Sequence, residues 1–195
     1  MEEQPRFAAD LGAAPALDAL LARWRRTALA DAAADQRRRQ HWLERQDGAD
    51  ATFAGVLVEL AERGRRVSLT TVSGQRLTGW LLAVGTDVVV LEDPTGTRSL
   101  VALRAVSAAG EVDPHGAGER LTGTAAATAD TTLSEVLAEL ATERPEVSMS
   151  FGAQGAHLRG RLVSVGRDTA ALRLDGAGGT AFVALANVEV CRLDR

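Results

Sequence analysis

An internal repeat constrains the fold of this chain more than any other feature, because two copies of one pattern occupy most of its 195 residues. The matching segments are 52–61 with 132–141, 67–69 with 147–149, 74–91 with 155–172, and 101–106 with 183–188. The spacing between copies grows by one residue at two points, and both fall where turns are expected, so a duplicated fold can absorb them. We therefore expect two tandem copies of one structural unit.

Each copy begins with a predicted helix, because its apolar residues follow the i, i+3, i+4, i+7 spacing of one buried face. These residues are Phe53, Val56, Leu57 and Leu60 in the first copy, and Leu133, Val136, Leu137 and Leu140 in the second. Thr132 and Glu135 have the form of a capping box. Gly64 and Pro145 are predicted to end the two helices.

Short β-strands are predicted after each helix. In the first copy, polar and apolar residues alternate over 67–71 and 77–81, and an apolar run follows at 88–91. Gly79 and Gly160 lie inside predicted strands, where glycine permits a sharp bend or a close backbone approach. Because an open sheet of a few short strands would leave bare edges, we expect each copy to close into a small five-stranded barrel.

The strand segments also resemble a known family. Residues 79–91 read Gly-x-Leu-x-x-Val-Gly-x-Asp-x-Val-x-Leu and precede Leu-Arg-Ala-Val at 103–106. Residues 160–172 read Gly-x-Leu-x-x-Val-Gly-x-Asp-x-Ala-x-Leu and precede Leu-Ala-Asn-Val at 185–188. Both resemble the two signature segments of Sm-like proteins, including their bacterial host-factor branch. This resemblance implies a mainly β, α+β chain with two tandem Sm-like or SH3-like barrels, each led by a helix.

The resemblance implies RNA or other nucleic acid as the ligand of a non-catalytic protein. The candidate phosphate contacts are Arg37, Arg38, Arg39, Arg98, Arg104, Arg159, Arg161 and Arg167. The second copy has Ala186 where the first has Arg104, and neither copy has the asparagine that the family carries after its aspartate. The alternative is a structural or protein-interaction scaffold that uses barrel edges and an N-terminal arm. The net charge of −4 and the absence of tyrosine favour this alternative.

Residues 15–46 are predicted to form the N-terminal arm as one long helix, or as a kinked or two-helix arm. The apolar stripe of this arm consists of Leu17, Leu20, Leu21 and Trp24. Trp42 falls on the same face if the helix is continuous, so the arm could dock on the barrels or on a second chain. The predicted organisation is an arm at 1–50, a first unit at 51–108, a flexible linker at 109–130 and a second unit at 131–195.

The composition argues against an enzyme. No lysine is present, which excludes a Walker-type phosphate loop and a Schiff-base lysine. Cys191 is the only cysteine, and the three histidines are isolated in sequence from it and from one another, so we expect no metal and no cofactor. Asp87 and Asp168 are interpreted as turn residues. We expect a cytoplasmic protein with no membrane partner, because neither a signal segment nor a long apolar run is present.

Overall fold

In a computed structural model of the protein, the described residues are 16–24, 52–112, 127–152, 156–176 and 178–194. The helices are α1 (residues 16–24), α2 (Phe53–Glu62) and α3 (Leu133–Leu140). The strands are β1 (Arg66–Thr71), β2 (Arg76–Val84), β3 (Val88–Glu92), β4 (Arg98–Ala102), β5 (Val106–Glu111), β6 (Ala127–Thr128), β7 (Glu146–Phe151), β8 (Ala156–Val165), β9 (Thr169–Leu174), β10 (Thr180–Ala184) and β11 (Val188–Leu193). Single 3-10 turns lie at Leu103–Ala105, Ala141–Glu143 and Leu185–Asn187.

The strands form one continuous sheet, in the order β10-β9-β8-β7-β11-β4-β3-β2-β1-β5. Neighbours along this path are antiparallel, and the short β6 pairs with β2 in parallel beside it. The predicted fold class, with two tandem five-stranded barrels, is therefore wrong. Neither half closes on itself. In the first half β4 pairs with β11 instead of β5, and in the second half β10 pairs with β9 and not with β11.

The two halves of the sheet nevertheless share one strand order. We call Phe53–Glu111 the first half and Leu133–Leu193 the second half. The path β4-β3-β2-β1-β5 of the first half matches the path β10-β9-β8-β7-β11 of the second. In both halves a 3-10 turn precedes the last strand. The sequence repeat is thus present in the structure as a repeated strand order within a single sheet.

Side-chain caps begin both α2 and α3, and the cap of α3 is the predicted one. The side chain of Thr52 accepts a hydrogen bond from the N–H of Gly55 at 3.1 Å. At the start of α3, Thr132 and Glu135 form the predicted capping box, with the Glu135 carboxylate accepting from the N–H of Thr132 at 2.8 Å. Gly64 follows α2 at a φ of 63°, a backbone region that suits glycine.

The in-strand glycines are close to the neighbouring backbone, as the sequence predicts. A Cβ on Gly79 would lie 2.1 Å from the carbonyl oxygen of Glu92, and one on Gly160 would lie 2.3 Å from that of Arg173. No side chain fits at these distances. Register shifts follow at matched places, between Leu81 and Ala83 in β2 and between Leu162 and Ser164 in β8. The sheet thus bends at equivalent points in both halves.

Two cores lie on the sheet. The smaller one belongs mostly to the first half and contains Leu57 and Leu60 of α2. The larger one combines α1 and α3 with strand residues of both halves, including Leu100 of β4 and Cys191 of β11. The halves therefore share apolar packing as well as backbone pairing.

The N-terminal arm is described only in part. Helix α1 buries Leu17, Leu20, Leu21 and Trp24, so the predicted apolar stripe is confirmed. Of the predicted long helix at 15–46, residues 16–24 are described and helical, and residues 25–46 lie outside the described part of the chain. Trp42 and the triplet 37–39 lie outside the described residues. Of the predicted linker, 109–111 belong to β5 and 127–128 to β6, whereas 113–126 lie outside them.

Candidate interaction site at the junction of the two halves

The site is the place where β4 and β11 join the halves, which we call the inner junction. Its antiparallel pairs are Val190 with Val101, Cys191 with Leu100, and Arg192 with Ser99. All of these except Arg192 are buried. The last strand of one repeat therefore pairs with Ser99–Val101 of the edge strand of the other, which removes this stretch as an open edge.

Arg104 fastens the turn after β4 to the turn before β11. Its guanidinium donates to the carbonyl oxygens of Ala186 and Val188, each at 2.8 Å, and to that of Leu185. Hydrogen bonds from a charged donor are stronger than neutral ones, so this side chain stabilises the inner junction. Arg104 was predicted to contact phosphate. In the structure its guanidinium instead donates to backbone carbonyls of the second half.

Asp87 links the β2–β3 turn to the start of α3. Its carboxylate accepts a hydrogen bond from the N–H of Leu133 at 2.6 Å, where the first amides of a helix lack partners within it. The adjacent N–H of Thr86 donates to the carbonyl of Thr131 at 2.8 Å. A Cβ on Gly85 would lie 2.7 Å from that same carbonyl, so the turn needs glycine there. Asp87 was interpreted as a turn residue, and its contact with the second half is not visible in the sequence.

A buried carboxylate completes the inner junction. Glu189 of β11 is buried and accepts a hydrogen bond from the hydroxyl of Ser73 at 2.6 Å. The hydroxyls of Ser73 and Thr71 lie 2.8 Å apart, and the hydroxyl of Ser150 donates to the Gln75 side-chain oxygen at 3.3 Å. The β1–β2 turn of the first half therefore lies against strands β7 and β11 of the second half.

A groove of about 440 Å³ lies beside these contacts, between the β1–β2 turn and strands β7 and β11. Its polar lining includes Gln75, Ser148, His157 and Arg192. Across the described ranges, no three His, Cys, Asp or Glu side chains are placed to hold a metal ion. His115 and His41 lie outside those ranges.

Cys191 lies inside the inner junction and is fully buried. Burial raises the pKa of its thiol to about 12, with a smaller contribution from Asp194. A thiol held protonated in this way is a poor nucleophile, so Cys191 acts as a packing residue.

The predicted phosphate contacts on the sheet are mostly engaged within the chain. Arg98 pairs with Asp18 of α1 at 2.7 Å and with Glu92 at 3.1 Å. Arg161 pairs with Glu146 at 2.9 Å.

The two remaining predicted phosphate contacts in the second half differ from each other. Arg159 pairs with Asp194 at 2.9 Å, whereas Arg167 is exposed in the β8–β9 turn. The structure thus distributes these arginines over several elements and pairs most of them with carboxylates.

The outer strands of the sheet are β5 and β10. Within the part of the chain that the structure describes, each has a strand neighbour on one side only. Among the described residues, the exposed large apolar side chains are Phe53, Val56, Val72, Val163 and Phe182. Phe182 lies in β10 itself, and its exposure is not predicted from the sequence.

Comparison with models of known protein families finds no match for this chain, and no curated protein matches it in sequence. Among the described helices, none has the length and apolar character needed to span a membrane.

Proposed function

We propose that this protein is a non-catalytic interaction scaffold that joins protein chains through the two outer strands of its sheet. The observation that carries the proposal is the composition of those strands. β10 contains neither a charged residue nor a proline. In β5 only the terminal Glu111 is charged, and Arg63 and Arg65 bind it at 2.7 and 3.1 Å. Edge strands that avoid pairing usually carry unpaired charges or proline, so these two strands suit pairing with another chain.

The inner junction supports the same function, because it shows how this fold treats an edge strand. β4 and β10 occupy the same place in the repeated strand order, and β4 is covered by β11. A strand of another chain that paired with β10 in the same way would add backbone hydrogen bonds and bury Phe182. Nucleic-acid binding has less support, because Arg98, Arg104 and Arg161 already contact carboxylates or carbonyls of the chain.

In-cell photo-crosslinking tests the proposal. Phe182 is replaced by a photoreactive phenylalanine analogue, and Thr95, an exposed residue of the β3–β4 turn, is replaced in a control. We expect a discrete protein adduct from position 182 and none from position 95. Absence of any protein adduct at position 182 would overturn the proposal.

A parallel RNA titration separates the two functions that the sequence predicts. We expect labelled RNA to bind more weakly than about 100 μM at low salt. Tighter binding that weakens steeply with salt would favour the nucleic-acid function instead.

A further inference from the structure

The two halves differ in exposure at matched positions, and the difference begins on the strands. Phe182 in β10 matches Leu100 in β4, since each precedes the aligned valine of its strand. Leu100 is 0% exposed and Phe182 is 74% exposed. Val163 in β8 matches Leu82 in β2, and here too the residue of the first half is buried while its counterpart is exposed. One face of the sheet is therefore covered in the first half and open in the second.

The helices show the opposite difference. Phe53 at the start of α2 matches Leu133 at the start of α3, and their exposures are 41% and 2%. Val56 and Val136 one turn later repeat this contrast, since Val56 is exposed and Val136 is buried. One helix face is therefore covered in the second half and open in the first.

Packing within the chain accounts for both differences. Leu82 and Leu100 of the first half share one buried cluster with Leu133 and Val136 of α3, and this cluster also contains the apolar residues of α1. The second half thus contributes α3 to this cluster while β11 pairs with β4. The exposed residues of β8 and β10 match the strand surface that is covered in the first half. The exposed residues of α2 match the helix surface that is buried in the second half.

We infer that a second copy of this chain fills the vacant side, so that copies associate head to tail by repeating the inner junction. This inference rests on the proposed scaffold function and names its partner. In the register of the inner junction, β5 of one copy lies antiparallel to β10 of the next, with Ala108 opposite Val183 and Ala109 opposite Phe182. Helix α2 then contributes to the cover over Phe182, as α3 and α1 share the buried cluster of Leu100.

The polar contacts of the inner junction can be repeated only in part. Asp168 matches Asp87, is exposed, and in the new contact would accept from the N–H of Phe53 as Asp87 accepts from Leu133. Ala186 stands where the first half has Arg104, so the bridge to three carbonyls is missing. The contact between copies is therefore weaker than the inner junction and depends on concentration.

The inferred contact is heterologous, because the two surfaces that meet are different. Such a contact builds either a closed ring or an open fibre, and blocking one surface on a chain leaves the other intact. Phe182→Asp blocks the strand surface, and Phe53→Asp blocks the helix surface. Neither variant alone can associate with another copy of itself. In a mixture, the intact helix surface of the Phe182→Asp variant can bind the intact strand surface of the Phe53→Asp variant.

The test uses purified full-length protein and its mass in solution by sedimentation velocity, with far-ultraviolet circular dichroism confirming that each variant is folded. We expect the unmodified protein to form species larger than one chain at concentrations up to about 100 μM. Each Asp variant alone should be monomeric, and their mixture should give a 1:1 dimer. Asp168→Ala, a surface change, should weaken association by about tenfold without altering the fold.

Unmodified protein that stays monomeric at about 100 μM would overturn the inference, as would a mixture that yields no dimer. These outcomes are separable from failure of the scaffold function itself. A protein adduct at position 182 that is a different protein supports the scaffold and contradicts self-association. An adduct between two copies supports both.

Discussion

The carboxylate of Asp87 and the N–H of Leu133 lie 2.6 Å apart, which connects the β2–β3 turn of the first half to the first residue of α3 in the second. Carboxylates near a helix N-terminus satisfy unpaired amides and interact favourably with the helix dipole. This contact and the β4–β11 pairing are the means by which two copies of one pattern become one sheet.

Replacing Asp87 with alanine should therefore destabilise the protein by about 1–2 kcal/mol, measured by urea unfolding. The matched control is Asp168→Ala, since the Asp168 carboxylate accepts only a local hydrogen bond from Thr169 in the described structure. Under conditions where the protein is monomeric, this control should cost less than about 0.5 kcal/mol. Equal losses for the two variants would show that Asp87 is an ordinary turn residue.

The close backbone approach at Gly160 predicts strong sensitivity to a single methyl group. Gly160→Ala places a Cβ 2.3 Å from the carbonyl oxygen of Arg173, which forces the backbone to move. We expect a loss of at least about 2–3 kcal/mol in the free energy of unfolding. Gly166→Ala is the control, because its nearest neighbour is the Thr169 carbonyl at 3.7 Å, an ordinary contact. A tolerated alanine at 160 would refute the bend.

Cys191 provides a chemical probe of the inner junction. Its burial and a pKa of about 12 predict that a thiol reagent at pH 8 modifies the folded protein at least about a thousandfold more slowly than the unfolded one. The rate can be followed with a chromogenic disulfide reagent in buffer and in denaturant. Fast labelling of the folded protein would mean that β4 and β11 separate readily.

The capping box of α3 predicts a pH dependence. Hydrogen bonds from the backbone N–H and side chain of Thr132, and from Thr131, lower the pKa of Glu135 below its usual value. A lowered folded-state pKa means that the stabilisation is present above the unfolded pKa of about 4.3 and is lost as the pH falls through the folded value. The stability difference between the natural protein and Glu135→Gln should therefore shrink from pH 7 to pH 3 in thermal unfolding. A constant difference would contradict a charged cap.

Local features of this fold can be predicted from the sequence. The caps at Thr52 and Thr132, the apolar stripe before Trp24 and the close approaches at Gly79 and Gly160 all follow from residues near one another in the chain. Each depends on the conformational preference of one residue or on the spacing of a few.

The closure of each half into its own barrel was mispredicted for a physical reason. Alternation of apolar residues shows that a strand has two faces, but it does not say which strand covers its edge. β4 is apolar on both faces at Leu100 and Val101, which suits a strand buried between neighbours, and this holds for closure on β5 and for pairing with β11 alike. The choice depends on contacts far apart in sequence.

The site residues were predicted unevenly for the same reason. Arg104 was singled out as basic, yet its role depends on carbonyls in the turn at Leu185–Asn187, far along the chain. Phe53 was predicted to be buried because its spacing matches that of Leu133, but a spacing does not reveal whether the covering surface belongs to the same chain.

Hydrogen exchange measured by mass spectrometry at two protein concentrations distinguishes pairing within the chain from pairing between copies. We expect amides of β4 and β11 to be protected at both concentrations, and those of β5 and β10 to gain protection only at the higher one. Exchange in β5 and β10 that does not change with concentration would contradict association through these strands. Rapid exchange in β4 and β11 would contradict the single sheet itself.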